Sequence, residues 1–191
     1  MDGSCTLTAQ MNFPNIITIG RILLVPLTIW LLISEAFLAA FVVFIIAGIS
    51  DGVDGYIARK TNNRTELGAY LDPLADKALL VSVYGVLGII KILPAWLVLI
   101  VITRDILIIG GVLLAWVLGQ PLAMKPLWIS KVNTVAQITF IGFVLAALGL
   151  NIDANYWLRT GSFAVAGLTF LSGAFYMRDW VKHMAGNGEA K

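Results

Sequence analysis

Four aspartates stand at separations of three and four residues within a short stretch of the chain. Asp51 and Asp54 fall in Ser50-Asp51-Gly52-Val53-Asp54-Gly55-Tyr56-Ile57-Ala58-Arg59, and Asp72 and Asp76 in Leu71-Asp72-Pro73-Leu74-Ala75-Asp76-Lys77. On an α-helix these separations bring each pair to one face, so two neighbouring helices could present four carboxylates to one point. Anions gathered that closely repel one another and take up protons unless cations sit between them. Oxygen ligands without His or Cys favour Mg2+, with Mn2+ or Ca2+ as alternatives. Gly55 and Ala58 share the Asp54 side of their segment and Gly68 precedes Asp72 by one turn, which would let a bulky ligand approach the backbone. Arg59 adds a planar cation suited to phosphate oxygens. A solvated loop between two helices is the competing reading. It would require neither carboxylates at helical spacing on both flanks nor small residues on the same faces.

The elements that must position these residues are apolar. Of 191 residues, 59% are hydrophobic and 13% charged, and the mean hydropathy is +0.90, far from the composition of a water-soluble domain. A formal charge of +2 is too small for a broad nucleic-acid face. The single Cys5 and single His183 exclude an internal disulfide and a Cys- or His-rich metal centre. Six stretches approach the roughly 20 apolar residues that span a bilayer: about Ile16–Ile33, Ala36–Ile57, Tyr70–Ile92, Ala95–Leu118, Ile129–Leu150 and Tyr156–Tyr176. Breaks fall at Pro14, Ser34-Glu35, Leu93-Pro94, Gly119-Gln120-Pro121 and Asn151 to Asn155. The spacers leave no room for a soluble domain, so residues 1–191 read as a single all-α, polytopic membrane domain.

Basic residues mark the cytoplasmic side. Arg59, Lys60, Arg64, Lys125, Arg178, Lys182 and Lys191 fall on one side and only Lys91 and Arg159 on the other, which predicts both termini in the cytoplasm. Met1 to Gln10 holds an acid and no base, unlike a signal peptide, and with the short length this makes a bacterial inner membrane the expected location.

The residues fill the pattern D-x2-D-G-x2-A-R-x8-G-x3-D-x3-D at every fixed position: Asp51, Asp54, Gly55, Ala58, Arg59, Gly68, Asp72 and Asp76. In this the chain resembles the CDP-alcohol phosphotransferase family. The resemblance implies a six-helix membrane bundle, usually a homodimer, with metals and nucleotide in a cytoplasm-facing active-site cavity. It implies that Asp51, Asp54, Asp72 and Asp76 hold a pair of Mg2+ or Mn2+ ions on the diphosphate of a CDP-activated lipid. Gly55, Ala58, Arg59 and Gly68 would line the CDP site. Asp76 would also serve as general base towards the acceptor hydroxyl.

That motif reads the CDP half and leaves the acceptor open. Asn15, Thr18 and Arg21 share a face of the first span, Arg104-Asp105 interrupts the fourth, and Ser130-Lys131-Val132-Asn133-Thr134 opens the fifth. Arg104 reads equally as an acceptor ligand or as half of an internal ion pair with Asp105. Lys131, near an acid-rich mouth, reads as a phosphate ligand over a snorkelling lysine. The segments Phe13 to Arg21, Thr65 to Lys77 and Ile129 to Thr134 look like cardiolipin synthases of the mitochondrial type and their bacterial relatives. Phosphatidylglycerophosphate synthases share the first two, but typically carry an Arg-Glu pair in the fourth span and a second one to two turns on. Here Arg104-Asp105 is followed through Leu114 by no second arginine. One basic residue in an apolar surround suits monoanionic phosphatidylglycerol better than the near-dianionic glycerol 3-phosphate. The expected reaction joins CDP-diacylglycerol to phosphatidylglycerol, giving cardiolipin and CMP. Phosphatidylglycerophosphate synthesis is the alternative. A divalent-cation or proton-coupled carrier is the reading from another class, disfavoured because the acids gather at one face instead of lining a path.

Overall fold

The computed structural model describes residues 13–61, 66–117 and 128–186, with side chains described at Gly20 and over 23–50, 77–111 and 128–181. Among these residues there are six helices and no strand: α1 Phe13–Ile33, α2 Phe37–Thr61, α3 Glu66–Ile89, α4 Ala95–Val117, α5 Trp128–Gly149 and α6 Asn155–Gly186. The all-α expectation therefore holds.

Each of α1, α3 and α5 ends in the same kind of reversal. Glu35, Lys91 and Asn151 take positive φ values of 56°, 63° and 53°. The amides that follow them reach back five residues, from Ala36 to Leu31, Ile92 to Leu87 and Ile152 to Ala147, each at 2.9 Å. This is the Schellman closure, which satisfies carbonyls that a helix end otherwise leaves unpaired. No glycine occupies any of the three left-handed positions, so local propensity alone would not place these stops. The turns create three helical hairpins, and α1 packs on α2, α3 on α4 and α5 on α6. The hairpins join laterally because α1 also packs on α3, α2 on α5, and α4 on α6. Close approach at the turn end rests on Gly149, where an added Cβ would lie 2.7 Å from the Leu38 Cα. Gly111 makes room for the Tyr176 ring, so this glycine serves a seam within the chain.

The interior is apolar along most of its length, with Leu32, Phe44, Val83, Leu87, Leu97, Val101, Ile141, Val144 and Leu145 buried together. Polar side chains are also inside: Thr28, Arg104, Asp105, Asn133, Gln137, Ser162, Thr169 and Ser172 are all buried. Large apolar side chains meanwhile cover the outside, among them Leu23, Trp30, Ile46, Ile49, Leu99, Ile106, Val135 and Phe170. Water would penalise an apolar surface of that extent, whereas hydrocarbon would not. Two helices, Trp128–Gly149 and Asn155–Val181, are long and apolar enough to cross a membrane over their described residues.

Helix limits differ from the expected spans where charge begins. α2 continues past Ile57 to Thr61, and α3 starts before Tyr70, at Glu66. Hydrocarbon length limits an apolar span, but helical hydrogen bonding continues into polar sequence. α6 likewise continues from Tyr176 to Gly186, with Arg178 paired to Asp179 at 2.9 Å. α3 stops at Ile89 instead of Ile92 because Lys91 turns the chain.

Candidate functional site

All four motif aspartates lie inside helices: Asp51 and Asp54 in α2, Asp72 and Asp76 in α3. Their side chains, with those of Gly55, Ala58, Arg59, Gly68, Asn15, Thr18 and Arg21, fall outside the described residues. The helix ranges give how far each lies along its own helix. At 1.5 Å per residue, Asp54 sits about 10 Å before the end of α2 and Asp72 about 9 Å after the start of α3. Asp51 and Asp76 both sit about 15 Å from those same ends. Residues 62–65 connect the two helices, and α1 packs against both. Both pairs therefore lie within about three turns of the helix ends that flank residues 62–65.

Immediately beyond Asp76 the side chains are described, and the half-buried Lys77 joins a buried ion pair, Arg104 with Asp105. Lys77 Nζ donates to Asp105 Oδ1 at 2.7 Å. Arg104 Nη1 donates to the same oxygen at 2.7 Å, and its Nη2 donates to Ser130 Oγ at 2.6 Å and to Ser172 Oγ at 2.8 Å. Arg104 is 4% exposed and Asp105 3%. Two cations around one carboxylate leave the trio with a net positive charge. Asp105 Oδ2 and Arg104 Nε have no hydrogen-bond partner among the described residues.

One to two turns further along α5 and α6, a second polar set continues the seam. Gln137 Nε2 donates to Thr169 Oγ1 at 3.2 Å, and Thr169 Oγ1 donates to Asn133 Oδ1 at 2.9 Å. Tyr84 OH donates to the Gln137 carbonyl at 3.4 Å, linking α3 to the same seam. Interhelical bonds of this type hold helices together where no water competes.

Of the expected acceptor ligands, Arg104 is held by three side chains, as the ion-pair reading requires. Lys131 is exposed in the first turn of α5, at the same end of the bundle as the aspartates. Sequence reading missed Lys77 as a structural partner and overlooked Gln137, Thr169 and Ser172. A signal existed: Ser130, Asn133 and Gln137 recur at helical spacing within an otherwise apolar span, as do Thr169 and Ser172.

A bundle whose described residues are all helical or in short turns, with a polar seam and acids at helical spacing in the last turns of α2 and the first turns of α3, defines a class more narrowly than composition does. Residues 11–172 match the family described as CDP-alcohol phosphatidyltransferase. The chain is 36% identical over 151 residues to the CDP-diacylglycerol–glycerol-3-phosphate 3-phosphatidyltransferase of Bacillus subtilis, covering 71% of this chain and 77% of that one. It is 35% identical over 164 residues to the human cardiolipin synthase (CMP-forming), covering 78% of this chain and 54% of that one. With the chloroplastic CDP-diacylglycerol–glycerol-3-phosphate 3-phosphatidyltransferase 1 of Oryza sativa it shares 34% identity over 185 residues, 87% of this chain and 56% of that one. The chain thus spans about half the length of the human and rice proteins. The chain belongs to the CDP-alcohol phosphatidyltransferase family.

Proposed function

We propose that the chain works within a membrane as a cardiolipin-forming phosphatidyltransferase, moving phosphatidyl from CDP-diacylglycerol to phosphatidylglycerol and releasing CMP. The observation that carries the reading is the placement of Asp51 and Asp54 in the last turns of α2 and of Asp72 and Asp76 in the first turns of α3, in a chain of this family. Four carboxylates without His or Cys suit a hard divalent ion, and Asp51, Asp54, Asp72 and Asp76 would hold an Mg2+ or Mn2+ pair. When bound, such ions neutralise a diphosphate and polarise its phosphorus–oxygen bonds.

The chain's own residues do the rest. Gly55, Ala58 and Gly68 admit the CDP moiety close to the backbone, and Arg59 meets its phosphate oxygens. Asp76 accepts the proton of the acceptor hydroxyl as its oxygen bonds to the phosphatidyl phosphorus. The bond from that phosphorus to the bridging oxygen breaks, and CMP departs with the electron pair. Asn15, Thr18, Arg21 and Lys131 serve as acceptor or phosphate contacts at the same end. Passage of all six helices through the bilayer, with both termini cytoplasmic and two copies associated, completes this reading. The apolar exterior supports the membrane setting, and family membership favours the enzyme over a cation carrier.

The committed state of Arg104 supports phosphatidylglycerol as acceptor. Both terminal nitrogens are taken up by Asp105, Ser130 and Ser172, so this guanidinium is already engaged and less suited to grip a dianionic monoester. A second reading, glycerol 3-phosphate as acceptor, draws on the names of the B. subtilis and rice relatives. Incubating purified protein and CDP-diacylglycerol with each acceptor in turn, and following CMP, decides between them. Release with phosphatidylglycerol is expected; turnover on glycerol 3-phosphate alone would overturn the acceptor assignment.

A further inference from the structure

We infer that the Lys77–Asp105 ion pair is a positioning device for the motif carboxylates of α3, acting through the helix backbone and not on substrate. This rests on the proposed metal-dependent reading of Asp72 and Asp76.

Lys77 follows Asp76 directly, and both lie in the unbroken helix Glu66–Ile89. Successive residues in a helix are related by about 100° of rotation and 1.5 Å of rise, so fixing the azimuth of position 77 fixes that of 76 and, one turn earlier, of 72. Lys77 is fixed by a 2.7 Å bond to Asp105, whose side chain is 3% exposed. Asp105 in turn cannot swing freely, because the same oxygen holds Arg104, and Arg104 is tied to Ser130 of α5 and Ser172 of α6. Three helices thus set the rotation of a fourth at the level of its last motif acid. Among the described residues the neighbouring contacts of α3 constrain its rotation less: Leu79, Leu80 and Val83 are apolar and buried, Tyr84 makes only a longer, uncharged bond to the Gln137 carbonyl at 3.4 Å, and apolar packing tolerates small rotations better than a charged bond does.

Binding sites for paired ions tolerate little displacement, and misplacement of about 1 Å lowers turnover by about 100-fold. In purified full-length protein, Lys77→Gln and Asp105→Asn are each expected to lower kcat by about that factor, with the KM for CDP-diacylglycerol little changed. The double variant should be no worse than Asp105→Asn alone, because that change already removes the bond lost in Lys77→Gln. Lys77→Arg, which keeps a cation in reach of Asp105, should retain most activity. Mn2+ binding followed by electron paramagnetic resonance needs no turnover, and both single variants should bind the ion more weakly than wild type.

Three results would overturn the proposal. Additive losses, or a raised KM in Lys77→Gln with Asp105→Asn unaffected, would place Lys77 on the substrate. A lowered melting temperature in Lys77→Gln, with Mn2+ affinity and kcat unchanged where the variant is folded, would make the pair merely structural. Mn2+ binding identical in all forms would remove the link to the acids. A wild-type protein that binds Mn2+ yet releases no CMP with either acceptor would instead sink the proposed reaction, and the resonance titration would still decide the role of the pair.

Discussion

Arg104 on α4 reaches Ser172 on α6, its Nη2 donating to the serine Oγ at 2.8 Å inside the bundle. The two helices run side by side in the same direction, with Trp96 stacked on Phe163 at 5.2 Å at one end and Tyr176 OH donating to the Ile108 carbonyl at 3.1 Å near the other. Arg104 lies between those contacts, paired with Asp105 at 2.7 Å.

Replacing Arg104 by Met should therefore destabilise the fold strongly. Asp105 would keep Lys77 but lose the partner buried with it, and breaking a buried pair from one side costs about 3–5 kcal/mol. Ser172→Ala removes one charge-assisted bond and should cost about 1.5–3 kcal/mol. Thermal unfolding in detergent measures both. An Arg104→Met protein as stable as wild type, with a raised KM for the acceptor, would move this residue from the fold to the acceptor site.

Thr169 offers a separate test of the polar seam. Its hydroxyl accepts from Gln137 and donates to Asn133, so Thr169→Val leaves two buried amides each short of a partner. Interhelical bonds in membrane bundles are worth about 0.6 kcal/mol on average and up to about 1.7 kcal/mol. Loss of both bonds should lower the unfolding free energy by about 1–3 kcal/mol, with kcat little changed.

Glycines separate cleanly by what surrounds them. An alanine at Gly149 would put its Cβ within 2.8 Å of both the Cα and the amide nitrogen of Leu38, which are backbone atoms and cannot step aside. Gly149→Ala should destabilise the α2–α5 contact by about 1–3 kcal/mol. Gly110 has nothing within 4 Å, so Gly110→Ala should be neutral or stabilising by up to about 1 kcal/mol through helix propensity. Parallel melting curves of the two variants compare them directly.

Much of this architecture was legible in the sequence because a bilayer demands long apolar runs. Five of the six helices start or stop within about four residues of the spans counted from composition; α6 overruns at its charged end. The turns were legible only as breaks. Glu35, Lys91 and Asn151 adopt a conformation for which glycine is the usual sign, and tertiary packing of the hairpins selects it instead. At the site, the spacing of Asp51, Asp54, Asp72 and Asp76 was visible because a helix has a fixed period. The Lys77–Asp105 bond was not, since it joins residues 28 apart and depends on how α3 and α4 pack. For the same reason the sequence alone leaves Arg104 between two roles.

Loss of the motif acids should show in binding as well as in rate. Asp72→Asn should abolish metal-dependent CMP release, whereas Asp76→Asn should keep CDP-lipid binding better than turnover, because its carboxylate also takes the proton. Chelation by EDTA should stop the wild-type reaction and added Mg2+ or Mn2+ should restore it. Equal loss of binding and turnover in Asp76→Asn would argue against a dedicated base.

An anomalous difference map from crystals grown with Mn2+ and CDP-diacylglycerol would observe the grouped carboxylates themselves. Density for divalent ions bounded by Asp51, Asp54, Asp72 and Asp76, against the diphosphate, is the predicted result. Ions bound elsewhere, or α2 and α3 turned so that these side chains face away from one another, would contradict it.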